Sequence, residues 1–131
     1  MRKTQPRSDF TPEGWHTVTP RIVVRGAEQL VEFVKHVFGA TGDYRTDAPA
    51  VMKIGDSRVM ISDAGIREPH PAFLYVYVED TDATYRRALS AGASSLEEPA
   101  VMPYGDRRAM VKDQWGNTWQ IATWFNDDRS G

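Results

Sequence analysis

Few side chains in this chain are able to do chemistry, and their spacing excludes most familiar machinery. There are three histidines and no cysteine among the 131 residues. The missing cysteines remove disulfides, thiolate metal sites and thiol nucleophiles together. His16, His36 and His70 share no ligand spacing. No Gly-rich phosphate loop, G-x-S-x-G elbow or H-E-x-x-H pair is present. The remaining candidates are polar and aromatic. Arg21 falls on the same strand face as Tyr75 and Tyr77 by alternation, and a cavity arginine meets a carboxylate of protein or ligand. Its plainer reading is a solvated rim residue. Asp106 and Arg107 could bind an anion, but a turn locked by their pairing with each other or with backbone is the simpler expectation. Glu97-Glu98-Pro99 reads as a solvated strand entry.

These residues need elements to hold them, and the chain supplies similar elements twice. RIVVRGAEQLVEFVKHVFGA runs from Arg21 to Ala40, and FLYVYVEDTDATYRRALSAGA from Phe73 to Ala93. Each is a strand-like run, a helix-like run and a Gly-Ala close, offset by about 53 residues, which is the signature of an internal repeat. In the first half Leu30, Phe33, Val34, Val37 and Phe38 recur at helical spacing, with Gly39 at the stop. In the second, Asp80 is an N-cap, Tyr85, Ala88 and Leu89 form the buried stripe, and Gly92 ends the helix.

Strand alternation then assigns faces. Leu74, Val76 and Val78 point toward a helix, and Phe73, Tyr75 and Tyr77 toward a cavity. Ile22 and Val24 match the first set; Thr19, Arg21 and Val23 match the second. Val59 and Ile61 oppose Arg58, Met60 and Ser62. Trp119 and Ile121 oppose Thr118, Gln120, Ala122 and Trp124. Further strands are expected near Ala50–Ile54, Ser94–Val101 and Arg108–Lys112. Gly55-Asp56 and Gly116-Asn117 mark the turns before the last strand of each half. The order is strand, helix, three strands, twice over.

The whole sequence bounds what such a fold does. It is 40% hydrophobic and 26% charged, with a formal net charge of -2, which builds a core and offers no basic nucleic-acid footprint. No apolar run approaches the roughly 20 residues of a membrane helix. The basic N-terminus lacks the apolar stretch of a signal peptide, and the composition suits a cytoplasmic protein. Residues 1–14 read as a flexible lead-in, 15–124 as one domain of two modules (about 15–66 and 70–124), and 125–131 as a flexible tail.

PEGWHTVTPRIVV, HVFGA, IGDSRVMISD, VYVEDTDATYRRALSAGA, YGDR and VKDQWGNTWQIAT occur in that order. From about Pro12 to Trp124 the chain resembles the vicinal oxygen chelate superfamily of glyoxalase I, bleomycin-resistance proteins and extradiol dioxygenases. More narrowly, it is similar to the small, single-domain, phosphonate-operon-like branch. The resemblance implies an α+β fold of two tandem βαβββ modules, curved into a mixed-sheet cup and commonly completed in a homodimer. It also implies four metal ligands on the cup face. Thr19, Met60, Phe73 and Gln120 stand at those positions, and only Gln120 is a fair ligand. Pro49, Asn117 and Trp124 stand where the closer branch has histidines. His16 and His70 precede equivalent strands and could approach one rim of the cup, although solvated loops are the plainer reading. His36 belongs to a helix surface. The expected function is therefore metal-independent binding of a planar or aromatic small molecule, anionic ones included, with no cofactor. Arg21, Met60, Phe73, Tyr75, Tyr77, Gln120 and Trp124 are the expected lining. The alternative from the family is a metal-dependent lyase, isomerase or dioxygenase, so catalysis stays open.

Overall fold

The apolar period of the first half produces a helix with a fully sunk stripe. The computed structural model describes residues 10–125, so part of the expected lead-in and nearly all of the expected tail lie outside the described residues. β1 (Arg21–Val24) leads into α1 (Ala27–Phe38), where Leu30, Val31, Phe33, Val34 and Val37 are buried. Gly39 closes α1 in the left-handed conformation, φ 68°, as a residue without a Cβ does at little cost. The N-terminus of α1 is capped from outside the helix. Gly26 offers no side chain, and Asp63 Oδ1 instead accepts the Ala27 N–H at 2.9 Å. In the second half Asp80 caps α2 (Thr81–Ser90) in the ordinary way, accepting from Ala83 N at 3.0 Å.

The strands repeat with matching register. β2 (Ala50–Ile54) and β3 (Ser57–Asp63) join β1 in a sheet of order β1-β3-β2. β4 (Phe73–Tyr77), β5 (Ser94–Val101), β6 (Arg107–Lys112) and β7 (Thr118–Thr123) form a second sheet, β4-β7-β6-β5. β1 pairs parallel with β3, and β4 pairs parallel with β7. Arg21 lies opposite Met60 in one module, as Tyr75 lies opposite Gln120 in the other. This is the two-module fold expected from the repeat. The first module differs in one detail: its leading strand after the helix shrinks to a single Thr41–Lys53 bridge. Gly42 packs against Val51 and Met52 so closely that a Cβ would lie 2.4 Å from the Val51 carbonyl. The chain then leaves the sheet through the polar run Asp43–Asp47 and Pro49, which offers no alternating apolar face.

One apolar core joins the modules. Ile22, Val24, Met52, Val59 and Ile61 from the first sheet share it with Val111, Trp119 and Ile121 from the second. Phe38 lies 5.0 Å from the Trp119 ring, and Arg87 of α2 donates twice to the Val37 carbonyl at the end of α1. The turn before β7 is a five-residue loop organised by buried Asp113, which accepts from Trp115 N, Asn117 N, Asn117 Nδ2 and Trp119 Nε1. Asn117 Oδ1 in turn accepts Ala72 N at 2.8 Å, so the loop sets the start of β4. Trp115 packs edge-on to Phe33 with ring centroids 5.8 Å apart, which ties this turn to α1. Val23 departs from its expected cavity-facing place. It is buried, because the linker between modules runs along β1 and pairs with Val23 through the backbone of His70.

Candidate functional site

The second sheet places its tyrosines where two surfaces meet. Tyr75 and Tyr77 stand on the same face of edge strand β4, with ring centroids 5.4 Å apart. The register continues that face across the sheet. Tyr75, Gln120, Met110 and Glu97 form one row; Tyr77, Ala122, Arg108 and Ala100 form the next. The loop between β5 and β6 folds Asp106 against this face, where it is only 3% exposed.

The hydrogen bonds there have a defined direction. Asp106 Oδ2 accepts from Tyr75 Oη at 2.7 Å and from Tyr77 Oη at 2.9 Å. Tyr75 has spent its single proton, so Tyr104 Oη, 3.1 Å away, donates to it. Arg108 Nη1 donates to Tyr104 Oη at 3.2 Å, and Arg108 Nη2 to Glu97 Oε1 at 2.6 Å. Burial, with the bonds to Tyr104 and Asp106 adding to it, raises the Tyr75 pKa far above the ordinary phenol value. Tyr75 is therefore a neutral phenol at any physiological pH. At Arg108 the hydrogen bond to the Glu97 carboxylate raises the pKa, against burial, which lowers it.

On the other side of β4, along the seam between the modules, lies a cleft of about 410 Å³. Leu74, Val76 and Trp119 wall it from the second module, Ile54 and Val59 from the first. Tyr75 and Tyr77 line this cleft too, so they separate an apolar hollow from a polar network. Such a union of apolar walls with a few placed polar groups is the usual make-up of a small-molecule site. His16 lines the cleft, whereas His70 is engaged through its backbone at β1.

The residues expected from sequence fall into three places. Tyr75, Tyr77 and Gln120 adjoin on the second sheet, and Phe73 is exposed at the start of the same strand. Arg21 and Met60 adjoin on the first sheet; Arg21 Nε donates to Ser62 Oγ at 3.3 Å beside a depression shared with Asp63 and Ile66. Trp124 is 56% exposed and borders a separate hollow with Tyr77 and Glu79. Asp106 and Arg107 do not pair with each other. Asp106 holds the tyrosines, and Arg107 makes a two-pronged bond to Asp82 at 2.7 and 2.9 Å. Sequence reading missed Tyr104 and Arg108 and treated Glu97 as solvated. Alternation along β6 carried the signal for Arg108, which shares a face with Met110 and Lys112.

A divalent ion does not fit the residues at the family's ligand positions. Thr19, Met60, Phe73 and Gln120 provide a hydroxyl, a thioether, a phenyl ring and an amide, where several strong donors must converge at about 2 Å. Among the described residues no group of three or more His, Asp or Glu side chains comes together to hold a metal.

Residues 15–121 match the family model described as Glyoxalase/Bleomycin resistance protein/Dioxygenase superfamily. The chain belongs to that superfamily. No curated protein matches it. Among solved structures it is similar to TioX from Micromonospora sp. ML1, with TM-score 0.69 and 21% identity over 82% of this chain and 98% of that one. It is also similar to a glyoxalase/bleomycin resistance protein/dioxygenase family enzyme from Burkholderia phytofirmans PsJN, with TM-score 0.69 and 20% identity over 82% and 97%. A glyoxalase-related enzyme from Fulvimarina pelagi matches with TM-score 0.68 and 17% identity over 82% and 87%. At these identities the likeness shows the fold, and activity must be argued from the site.

Proposed function

We propose that this protein binds a planar, partly aromatic small molecule without a metal ion. The observation that carries the reading is the position of Tyr75 and Tyr77 between the apolar cleft and the Asp106–Tyr104–Arg108 network. Aromatic walls favour flat ligands, and the network offers fixed polar contacts to orient one. The donor set at Thr19, Met60, Phe73 and Gln120 supports metal independence. Within the superfamily, YGDR followed by D-x-x-G-N-x-W supports the small phosphonate-operon-like branch. β4 and β5 stand at the outer edges of their sheet among the described residues, which supports a homodimer, since sheet edges invite pairing.

Tryptophan fluorescence during titration with planar aromatic compounds tests the binding, because Trp119 lines the cleft. Saturable quenching, unchanged by a chelator, is expected, with no stoichiometric metal by elemental analysis. Quenching that requires an added divalent ion would favour the metal-dependent lyase, isomerase or dioxygenase reading. Light scattering at micromolar concentration should give twice the 14.8 kDa chain mass; a monomer mass would remove the dimer.

A further inference from the structure

We infer that Arg108 receives the acidic group of the ligand and that Glu97 is the placeholder carboxylate it displaces. This rests on the reading of a planar, aromatic ligand and places its acidic end on the network side of Tyr75 and Tyr77, since Arg108 and Glu97 are not among the residues that line the cleft itself. Two adjacent arginines on β6 make the argument. Arg107 uses Nε and Nη2 together on the two oxygens of Asp82, at 2.7 and 2.9 Å. That is the fork geometry in which a guanidinium matches a carboxylate. Arg108 meets Glu97 through Nη2 alone, at 2.6 Å. Its Nε is buried and has no hydrogen-bond partner among the described residues. The fork edge that Arg107 completes is thus half used at Arg108.

The surroundings make Glu97 the partner able to move. Glu97 is 43% exposed at its side chain, whereas Arg108 is 17% exposed. β5 is irregular on both sides of Glu97, with register shifts between Ser95 and Glu97 and between Glu97 and Ala100. The guanidinium is held at Nη1 by Tyr104, which binds Tyr75, which binds Asp106. Alanines flank Arg108 in register, Ala122 on β7 and Ala100 on β5, so neither neighbouring strand offers a second polar side chain in that row. Tyr77 stands beyond Ala122 in the same row. A carboxylate that takes both Nε–H and Nη2–H, on an aromatic body against Tyr77, satisfies the donor that Glu97 leaves unmet.

The test compares 2-naphthoate with its neutral isostere 2-naphthamide by isothermal titration. Wild-type protein should bind the carboxylate at least tenfold more tightly. Arg108→Met should erase that preference, the carboxylate losing at least tenfold more affinity than the amide. Arg108→Lys, which keeps the charge and loses the fork, should lose most of it. Glu97→Gln should tighten naphthoate several-fold and leave naphthamide unchanged. Circular dichroism melting confirms that each variant is folded, and Glu97→Gln on the surface stands if Arg108→Met does not fold. Equal binding of the two probes to wild type overturns the assignment while leaving the aromatic-ligand reading intact. So does a preference that survives Arg108→Met, or one abolished by Arg21→Met instead. Failure of both probes to bind wild type removes the reading and the assignment together.

Discussion

Tyr75 and Tyr77 deliver their hydroxyl protons to the same atom, Oδ2 of Asp106, at 2.7 and 2.9 Å. Two phenols converging on one buried carboxylate fix each other's orientation, and this sets the aromatic wall of the cleft. The arrangement has a pH signature. The Tyr75 pKa is raised chiefly by burial and further by its hydrogen bonds, so its deprotonated form is disfavoured in the fold. The contribution is complete below the ordinary tyrosine value of about 10 and is lost as pH rises beyond it. Ultraviolet titration should show a phenol ionising late, and Tyr75→Phe should abolish that phase. Asp106→Asn should bring it earlier without restoring the ordinary value, because burial persists. A wild-type titration with Tyr75 ionising at the usual pH would contradict the network.

Asp113 should be the most sensitive polar residue in the fold. It is 5% exposed and accepts from Trp115, Asn117 and Trp119. Removing the carboxylate leaves several buried donors unmet, each costing about 1–3 kcal/mol. Asp113→Ala is expected to destabilise the protein by about 3–5 kcal/mol in urea unfolding. Because Asn117 also sets the start of β4, near-ultraviolet dichroism from the tyrosines should change as well. A loss below about 1 kcal/mol would show that the loop is not the latch described.

Asp63 caps α1 from β3, and its role depends on charge. Its pKa is lowered first by the Tyr44 hydroxyl and then by the Ala27 N–H. A depressed carboxylate stabilises above its ordinary value, about 3.9, and the contribution is lost as pH falls through the folded value. Asp63→Ala should cost about 0.5–2 kcal/mol at neutral pH, the range for a lost cap. The gap between variant and wild type should narrow below about pH 4. A gap that holds constant down to pH 2–3, the far side of the ordinary carboxylate value, would mean the charge does not matter.

The parts of this fold that follow a period were legible in the sequence. Leu30, Val34 and Val37 declare the buried face of α1 by spacing alone, and Leu74 and Val76 pack on the core as alternation expects, although Tyr75 and Tyr77 share the cleft with them. Asp80 was recognisable as a cap because its acceptor lies next to the helix it serves. Asp63 was not, because it reaches α1 from 36 residues away. The same limit hid most of the polar network. Tyr104 and Arg108 lie four residues apart, yet they join Tyr75 only after β4, β7 and β6 are in register. Asp106 and Arg107 are neighbours in sequence and were expected to lock a turn by pairing with each other or with backbone, but Asp106 ends the β5–β6 loop while Arg107 opens β6. Each therefore found a distant partner, Tyr75 or Asp82.

The last strand gives the sharpest test of the faces, because a core residue and an exposed aromatic lie three positions apart. Ile121 is fully buried in the shared core, in register with Val76 and Ala109. Ile121→Ala removes a packed side chain from a site hemmed in on both sides, and should cost about 2–5 kcal/mol. Trp124 is 56% exposed and borders the hollow with Tyr77, Val78 and Glu79. Its replacement by alanine opens no cavity in the core, so the stability change should stay within about 0.5 kcal/mol. If Trp124 contributes a ring to the ligand, the same variant weakens naphthoate binding several-fold, since an aromatic contact is worth about 0.5–1.5 kcal/mol beyond burial. Urea denaturation and titration of the two variants separate these effects. Unfolding by Trp124→Ala with little effect of Ile121→Ala would reverse the faces of β7. The Tyr75–Gln120 row would then lie toward the helices and not toward the ligand.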